Sequence, residues 1–253
     1  MKKIIKKITN LFNYEIVHKN DWYKRKENFV PEISSQELKL IQKISNYSMC
    51  SPVNHWAIIQ SMKYIKNKKI EGDFVEAGVY KGGNLILLNH YLNLYESEKK
   101  IYAYDTFDGM PEENKKVDFD LKNIPVKEIR KKHTEDKWCY ASLDEVKKNL
   151  YKFDNNFSDK FKFIKGKVEN TLLKNENLPE KISFLRLDTD FYESTKIELQ
   201  ILFPRLSSNG ILIIDDYGHW KGARKAVDEY FSNDKNFHLF HRIDYSSRIL
   251  IKD

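Results

Sequence analysis

Phe74-Val-Glu-Ala-Gly78-Val-Tyr-Lys-Gly82-Gly83, running into the apolar segment Asn84–Leu94, decides the fold. A short apolar run that stops at a glycine-rich turn and passes into a helix-length segment reads as strand, tight turn and helix. Glycines at such a turn permit close backbone approach, so a ligand can lie over the strand end at the helix N-terminus. The spacing E-x-G-x-x-x-G-G departs from the G-x-G-x-x-G that receives a dinucleotide pyrophosphate. Glu76 would repel a pyrophosphate and suits a ligand with a cationic amine. Taken alone, the motif also fits a purely structural turn.

Outward from this unit, short apolar runs alternate with amphipathic ones to the end of the chain. Strands are expected at Phe74–Ala77, Ile101–Tyr104, Phe161–Ile164, Ile182–Leu187, Ile211–Ile214, Phe237–His241 and Arg248–Ile251. Helices are expected at Asn84–Leu94, Leu143–Leu150, Thr195–Leu206 and Lys221–Phe231. This alternation builds an α/β domain with a mostly parallel, seven-stranded sheet flanked by helices. Thr195 with Glu198 reads as a capping box opening the third of these helices, and Asn209-Gly210 as its left-handed stop. Ser51-Pro52 reads as a cap with Pro at the first helical position, opening a helix through about Tyr64. Residues 1–72 thus form a helical N-terminal extension or lid and residues 73–253 the α/β domain. The polar stretch Glu112–Lys137 has little periodicity and reads as a long loop or lid.

Composition narrows the function classes. The 253 residues, 41% hydrophobic and 32% charged, hold enough apolar material for a core and exclude a disordered chain. The uncharged, largely apolar stretch Gly82 to Tyr95 is interrupted by Asn84, Asn89, His90 and Asn93 and is shorter than the roughly 18 apolar residues of a membrane span. No transmembrane segment is expected. Cys50 and Cys139 have no Cys or His at ligand spacing, which argues against a disulfide framework or a zinc site and for a cytoplasmic location. The basic N-terminus lacks the apolar run of a secretory signal. Its Ile4, Ile5, Ile8, Leu11 and Phe12 recur at helical spacing, which suits a helix packed on the protein or lying on a membrane surface. Lys and Arg exceed Asp and Glu by 44 to 37, a net charge of +7. These cations are scattered, with the densest run at Lys127–Lys132, so a solvated surface is expected and no nucleic-acid partner.

The acidic strand ends carry the chemistry. Tyr104-Asp105-Thr106-Phe107 closes the second strand, where an Asp can accept the two ribose hydroxyls of a nucleoside or serve as a cap or turn residue. Leu187-Asp188-Thr-Asp190 and Ile214-Asp215-Asp216 close two later strands. On neighbouring strands their ends lie about 5 Å apart, and four carboxylates crowd one edge. Oxygen-only donors favour Mg²⁺, Mn²⁺ or Ca²⁺, unless each Asp merely caps a helix. Asp215 and Asp216 point to opposite faces of an ideal strand, so both reach a metal only if the chain bends. In the following Tyr217-Gly-His219-Trp-Lys221-Gly-Ala-Arg224, His219 can orient a substrate and Lys221 or Arg224 can contact an anionic one.

These blocks resemble the macrocin O-methyltransferase family, over about Cys50 to Arg248. The anchors are Glu76-x-Gly78-Val-x-x-Gly82-Gly83, Tyr104-Asp-Thr-Phe-Asp-Gly-Met-Pro111, Gly166-x-Val168-x-x-Thr171-Leu172, Ile182 to Thr195 and Ile213 to Phe231. The resemblance implies a Rossmann-like class I methyltransferase fold, S-adenosylmethionine as cofactor and a divalent metal such as Mg²⁺ or Mn²⁺. By position it implies Asp188, Asp215 and Asp216 as metal ligands and Asp190 as general base; His219, from the reading of the residues alone, is the second catalytic candidate. Glu76, Gly78, Tyr80, Gly82, Gly83, Asp105, Thr106, Gly166, Val168 and Asp188 would face the cofactor. One departure stands out: Cys50-Ser-Pro-Val-Asn54 replaces the family's Thr-Ser-x-Glu-Arg, which leaves the acceptor open.

The expected reaction is O-methylation of a sugar or nucleotide-sugar, serving bacterial surface polysaccharide or a natural-product glycoside. A homodimer or higher homo-oligomer is expected. Asp188-Thr-Asp190 also reads as the D-x-D of a metal-dependent glycosyltransferase, which leaves Glu76-x-Gly78 and Asp215-Asp216 unexplained. An RNA methyltransferase would use the basic surface and bind in a strongly salt-dependent way. A non-catalytic binding module gives no reason for the crowded acidic edge.

Overall fold

Seven strands form one sheet: β1 (Asp73–Ala77), β2 (Ile101–Asp105), β3 (Phe161–Lys165), β4 (Ile182–Leu187), β5 (Leu206–Ile214), β6 (His241–Arg242) and β7 (Arg248–Ile251). The computed structural model describes residues 30–132, 137–232 and 238–253. The sheet order is β3-β2-β1-β4-β5-β7-β6. The first five strands run parallel, and β7 returns antiparallel beside β5. The chain therefore winds outward from β1 through β2 to β3, then crosses back to lay β4 on the other side of β1. Ligand crevices in open α/β sheets form at that reversal, outside the carboxyl ends of the strands.

Side chains alternate between the two faces of each strand. Phe74, Phe184, Ile211 and Ile213 enter one core cluster, and Val75, Leu185, Leu212 and Ile214 the other. All six residues of β4 are buried. A parallel strand covered on both faces reads as a continuous apolar run, and this one is broken by a single charge, Arg186.

The helices are α1 (Ser35–Ile44), α2 (Pro52–Lys68), α3 (Gly83–Leu94), α4 (Val126–Arg130), α5 (Leu143–Tyr151), α6 (Val168–Thr171), α7 (Tyr192–Leu202) and α8 (Lys221–Ser232). Helix α2 opens as its sequence implies, with Ser51 Oγ accepting from Asn54 N at 3.1 Å and Pro52 in the first turn. Ile58, Ile59 and Met62 of α2 share a core cluster with Phe74 and Phe184 of the sheet.

Several boundaries differ from expectation. Helix α7 starts at Tyr192, not Thr195, and Thr195 and Glu198 are buried inside it. Its first amide is capped by Asp118, 74 positions upstream, so no local capping box is needed. Pro204 ends the helical path in a 3₁₀ turn, Phe203–Arg205. Asn209 is left-handed, at φ 63°, but lies within β5, where pairing with β4 shifts register. Strand β6 holds only His241 and Arg242, while Phe237 lies outside the described residues. The Glu112–Lys137 stretch contains α4 and two isolated bridges, Phe119 with Pro125 and Asp120 with Trp220. The apolar residues from Ile4 to Phe12 fall outside the described part of the chain. Among the described residues no helix is long and apolar enough to cross a membrane.

Candidate active site at the sheet reversal

A cavity of about 510 Å³ opens over the ends of β1, β2, β4 and β5, within the usual range for small-molecule sites. Gly78, Tyr80, Gly83, Asp105, Thr106, Gly166, Val168, Asp188, Asp190, Asp215, Asp216 and His219 all line it. Glu76 and Gly82 do not.

Glu76 is 1% exposed. Its Oε1 accepts from Arg186 Nη1 at 3.0 Å and from Asn84 Nδ2 at 2.9 Å. The contact expected between Glu76 and a cationic amine does not match its placement: the carboxylate is buried, does not line the cavity, and has Arg186 on its Oε1. Gly78 is needed for a different neighbour than a ligand. At φ 83°, a Cβ there would sit 1.9 Å from the Asp188 carbonyl oxygen, so the glycine lets β1 and β4 close together. Gly82 is the left-handed N-cap of α3, at φ 86°. Gly83 donates its amide to Tyr47 O at 2.9 Å, which seats the segment before α2 against the turn.

Asp105 is held by backbone. Its Oδ2 accepts from Val79 N at 2.8 Å and Tyr80 N at 3.3 Å, and its Oδ1 from Phe107 N at 2.7 Å. Burial pushes its carboxyl above the usual range, against these bonds. The carboxylate is thus fixed where a diol could approach its remaining lone pairs. Gly166 N donates to Asp105 O at 2.9 Å, joining the β3 end to the same wall.

Asp188, Asp215 and Asp216 each offer an oxygen, all within 4.8 Å of one another. Their strands pair directly, Leu187 beside Ile214. Strand β5 ends at Ile214, so Asp215 and Asp216 sit in a bend, which lets adjacent residues face one point. Asp215 Oδ1 accepts from Asn54 Nδ2 at 2.7 Å, Ser247 Oγ at 2.8 Å and Arg186 Nη2 at 2.8 Å. Burial acts to raise the Asp215 carboxyl, yet Arg186 and these donors hold it below the usual range. Burial raises Asp188 despite Arg186, and raises Asp216 together with the charge of Asp190. Three strand-end carboxylates drawn together with only oxygen donors fit a hard divalent cation.

Arg186 has no exposed side-chain surface, and its Nη1 also donates to Asp188 Oδ2 at 2.7 Å. Its Nη2 lies 3.0 Å from Cys50 Sγ. Burial alone would lower the guanidinium pKa, but Asp188, Asp215 and Glu76 hold it well above the usual value. The charge inside an otherwise apolar strand was a visible signal for a buried counter-cation. Asn54 and Ser247 carried no comparable signal, because their role exists only where α2 and β7 meet the end of β5.

Asp190 was expected to share the face of Asp188 along an extended strand. Strand β4 instead ends at Leu187 and Asp190 is left-handed, at φ 66°, donating its amide to Asp216 Oδ2 at 3.0 Å. It still lines the cavity beside the cluster. Burial, then the charge of Asp188, pushes its carboxyl up to about 7. His219 stands edge-on to Trp220, with centroids 4.8 Å apart, and its Nδ1 lies 3.3 Å from Tyr245 Oη. Burial lowers its pKa. The expected anion contacts face elsewhere: Lys221 Nζ donates to Asn123, and Arg224 Nε donates to Tyr217 O at 2.9 Å.

Sheet order, reversal-point cavity and acid-edged strand ends together define a Rossmann-like class I methyltransferase fold. The O-methyltransferase NovP has the same fold, with a TM-score of 0.73 over 99% of this chain and 97% of that one, at 22% identity. More particularly, the chain belongs to the macrocin-O-methyltransferase (TylF) family, whose sequence profile matches residues 42–250. It is similar to the 8-demethyl-8-(2,3-dimethoxy-alpha-L-rhamnosyl)-tetracenomycin-C 4'-O-methyltransferase of Streptomyces olivaceus, 33% identical over 163 residues, 64% of this chain and 58% of that protein. It is also similar to the demethyldecarbamoylnovobiocin O-methyltransferase of Streptomyces niveus, 29% identical over 175 residues, 68% of this chain and 63% of that protein. The aligned region spans about three-fifths of these relatives' length.

Proposed function

We propose that this chain transfers a methyl group from S-adenosylmethionine to a sugar hydroxyl, with Asp188, Asp215 and Asp216 holding a divalent cation. The observation that carries this reading is the three-carboxylate cluster at the reversal point, opening into a cavity whose far wall presents the backbone-anchored Asp105. Bound S-adenosylmethionine supplies an electrophilic methyl, and a cation at the cluster supplies positive charge beside the acceptor oxygen.

The chain's own residues do the rest. Asp105 receives the ribose hydroxyls, while Tyr80, Thr106, Gly166 and Val168 wall the nucleoside side. Asp190, next to the cluster, accepts the proton of the acceptor hydroxyl, a role worth roughly 10²–10⁴-fold in rate. A cation held by Asp188, Asp215 and Asp216 would favour the ionised form of the Asp190 carboxylate at neutral pH. His219, Trp138 and Trp220 also line the cavity, and they orient the sugar. Alignment of oxygen, carbon and sulfur supplies much of the remainder.

The cavity lining is acidic, and Lys167 is its one cation among the described residues. With Lys221 and Arg224 turned away, a sugar ring enters the cavity and any nucleotide phosphates stay outside it. The acceptor is thus a small-molecule glycoside or nucleotide-sugar, of the kind that builds surface polysaccharide or a natural product. A cytoplasmic setting, with Cys50 and Cys139 reduced, belongs to the same reading.

The test is a panel of methyl glycosides and nucleotide-sugars incubated with S-adenosylmethionine and Mg²⁺, read by mass spectrometry. A gain of one methyl on a sugar, abolished by a chelator and restored by Mg²⁺ or Mn²⁺, is expected. Methylation of a catechol or an RNA with no sugar modified, or full turnover in metal-free buffer, would overturn the reading.

A further inference from the structure

The segment between β2 and α5 is fastened to the site by a carboxylate that the chemistry above does not use. Asp118 is 1% exposed. Its Oδ1 accepts from Tyr192 N at 2.9 Å and its Oδ2 from Asn114 N at 2.7 Å. Tyr192 opens α7, and Phe191, the N-cap residue, gives that helix no side-chain cap. A carboxylate at a helix N-terminus satisfies an otherwise orphan amide and meets the positive end of the helix dipole. Here that carboxylate comes from outside the helix.

The fit also depends on α8. A Cβ at Gly222 would lie 1.8 Å from Asp118 Oδ1, so glycine at this position makes room for the carboxylate. The contact continues along the chain, through Lys221 N donating to Phe119 O at 2.9 Å and then through the antiparallel bridge between Asp120 and Trp220. Two features of the cavity hang on this junction. Asp190, two residues before Tyr192, is a non-glycine residue in a left-handed conformation, which persists only where its surroundings enforce it. Phe191 packs edge-on against Trp220, centroids 5.9 Å apart, and Trp220 against Trp138 at 6.1 Å.

We propose that Asp118 is a positioning residue, a latch seated in the space left by Gly222 that holds the Asp190–Tyr192 turn and the Trp138–Trp220 wall in register for the acceptor. It acts on the acceptor side and leaves cofactor binding unchanged. This rests on the reading of the Asp190 side of the cavity as the acceptor side.

The experiment compares D118A, G222A and the double variant in the full chain, by hydrogen exchange, by calorimetry with S-adenosylhomocysteine, and by kinetics with methyl α-L-rhamnoside as acceptor. In D118A the amides of Asp190 to Tyr192 should exchange at least about tenfold faster, reporting local opening. S-adenosylhomocysteine affinity should stay within about twofold, while kcat/KM for the acceptor falls by roughly 10- to 100-fold through misplacement. G222A should reproduce D118A, and adding G222A to D118A should cost well under the sum of the two single losses, because the carboxylate that it displaces is already gone and only a 3.1 Å approach to Tyr192 N remains. If D118A does not fold, D118N takes its place. Additive losses, unaltered exchange, or a parallel loss of S-adenosylhomocysteine affinity would each overturn the latch. If the wild type leaves methyl α-L-rhamnoside unmodified, that acceptor is excluded, and the exchange and calorimetry arms still decide the latch.

Discussion

Arg186 is the residue on which the acidic edge depends. One guanidinium contacts Glu76, Asp188 and Asp215, which come from three adjacent strand ends. Removing one partner of a buried ion pair leaves the others charged and unpaired, at a cost of about 3–5 kcal/mol. Arg186→Met should therefore lower the urea-unfolding free energy by about that amount, and Glu76→Gln in the same chain should recover part of it. An unchanged midpoint would mean that the guanidinium holds nothing together. At the neighbouring Asp190, substitution by Asn keeps the shape and loses the basicity. Turnover should fall by roughly 10²-fold or more, with metal and cofactor affinities little changed in calorimetry. Loss of the metal in that variant would make Asp190 a ligand, and near-normal turnover would move the base to another group, with His219 the first to test. Asp215→Asn, by contrast, should weaken metal binding more than cofactor binding.

At the scale of elements, the site exists because β1 and β4 approach closely just past their ends. Gly78 makes that possible through its left-handed φ and its missing Cβ. Gly78→Val would bring both backbone strain and a collision with the Asp188 carbonyl, each in the class of large single-site effects. A loss of about 3 kcal/mol or more in unfolding free energy is expected, together with loss of S-adenosylmethionine binding, because the same displacement moves Asp188. Normal stability with selective loss of cofactor would instead mean that the turn serves the ligand alone. Helix α7 carries the complementary lesson. Thr195 and Glu198 have the spacing of a capping box, but Glu198 Oε2 accepts from Thr189 Oγ1 at 3.0 Å within the fold, and the cap comes from Asp118.

For the whole molecule, the packing of α2 against the site couples stability to pH. His55 is buried, with Nε2 3.1 Å from Ser48 Oγ. Burial, reinforced by the Arg186 charge, pushes its pKa from 6.5 down to about 3. Below pH 6.5 the unfolded chain takes up a proton that the folded chain refuses, so stability rises with pH between about 3 and 6.5 and is lost on acidification. Between pH 7 and pH 5 this one group should remove about 2 kcal/mol. Urea titrations at the two pH values should show that difference in the wild type and a smaller one in His55→Gln. An equal slope in both would place the imidazole in contact with water.

The sheet was legible because parallel strands covered on both faces must be apolar at nearly every position. The runs ending at Ala77, Leu187 and Ile214 announce themselves without any knowledge of their partners. Asp105, Asp188, Asp215 and Asp216 were legible for the related reason that acids directly after such runs fall at one edge of the sheet. Tertiary structure alone decided what those acids touch. The pairing of Glu76 with Arg186 spans 110 positions and depends on β4 crossing back to β1, which local propensity does not encode. The left-handed turn at Asp190, the donors from Asn54 and Ser247, and the seat of Asp118 against Gly222 likewise arise where distant segments meet. Periodicity reports which face a residue shows to the core, whereas hydrogen-bond partners and backbone strain at the site are set by elements brought together only in the folded chain.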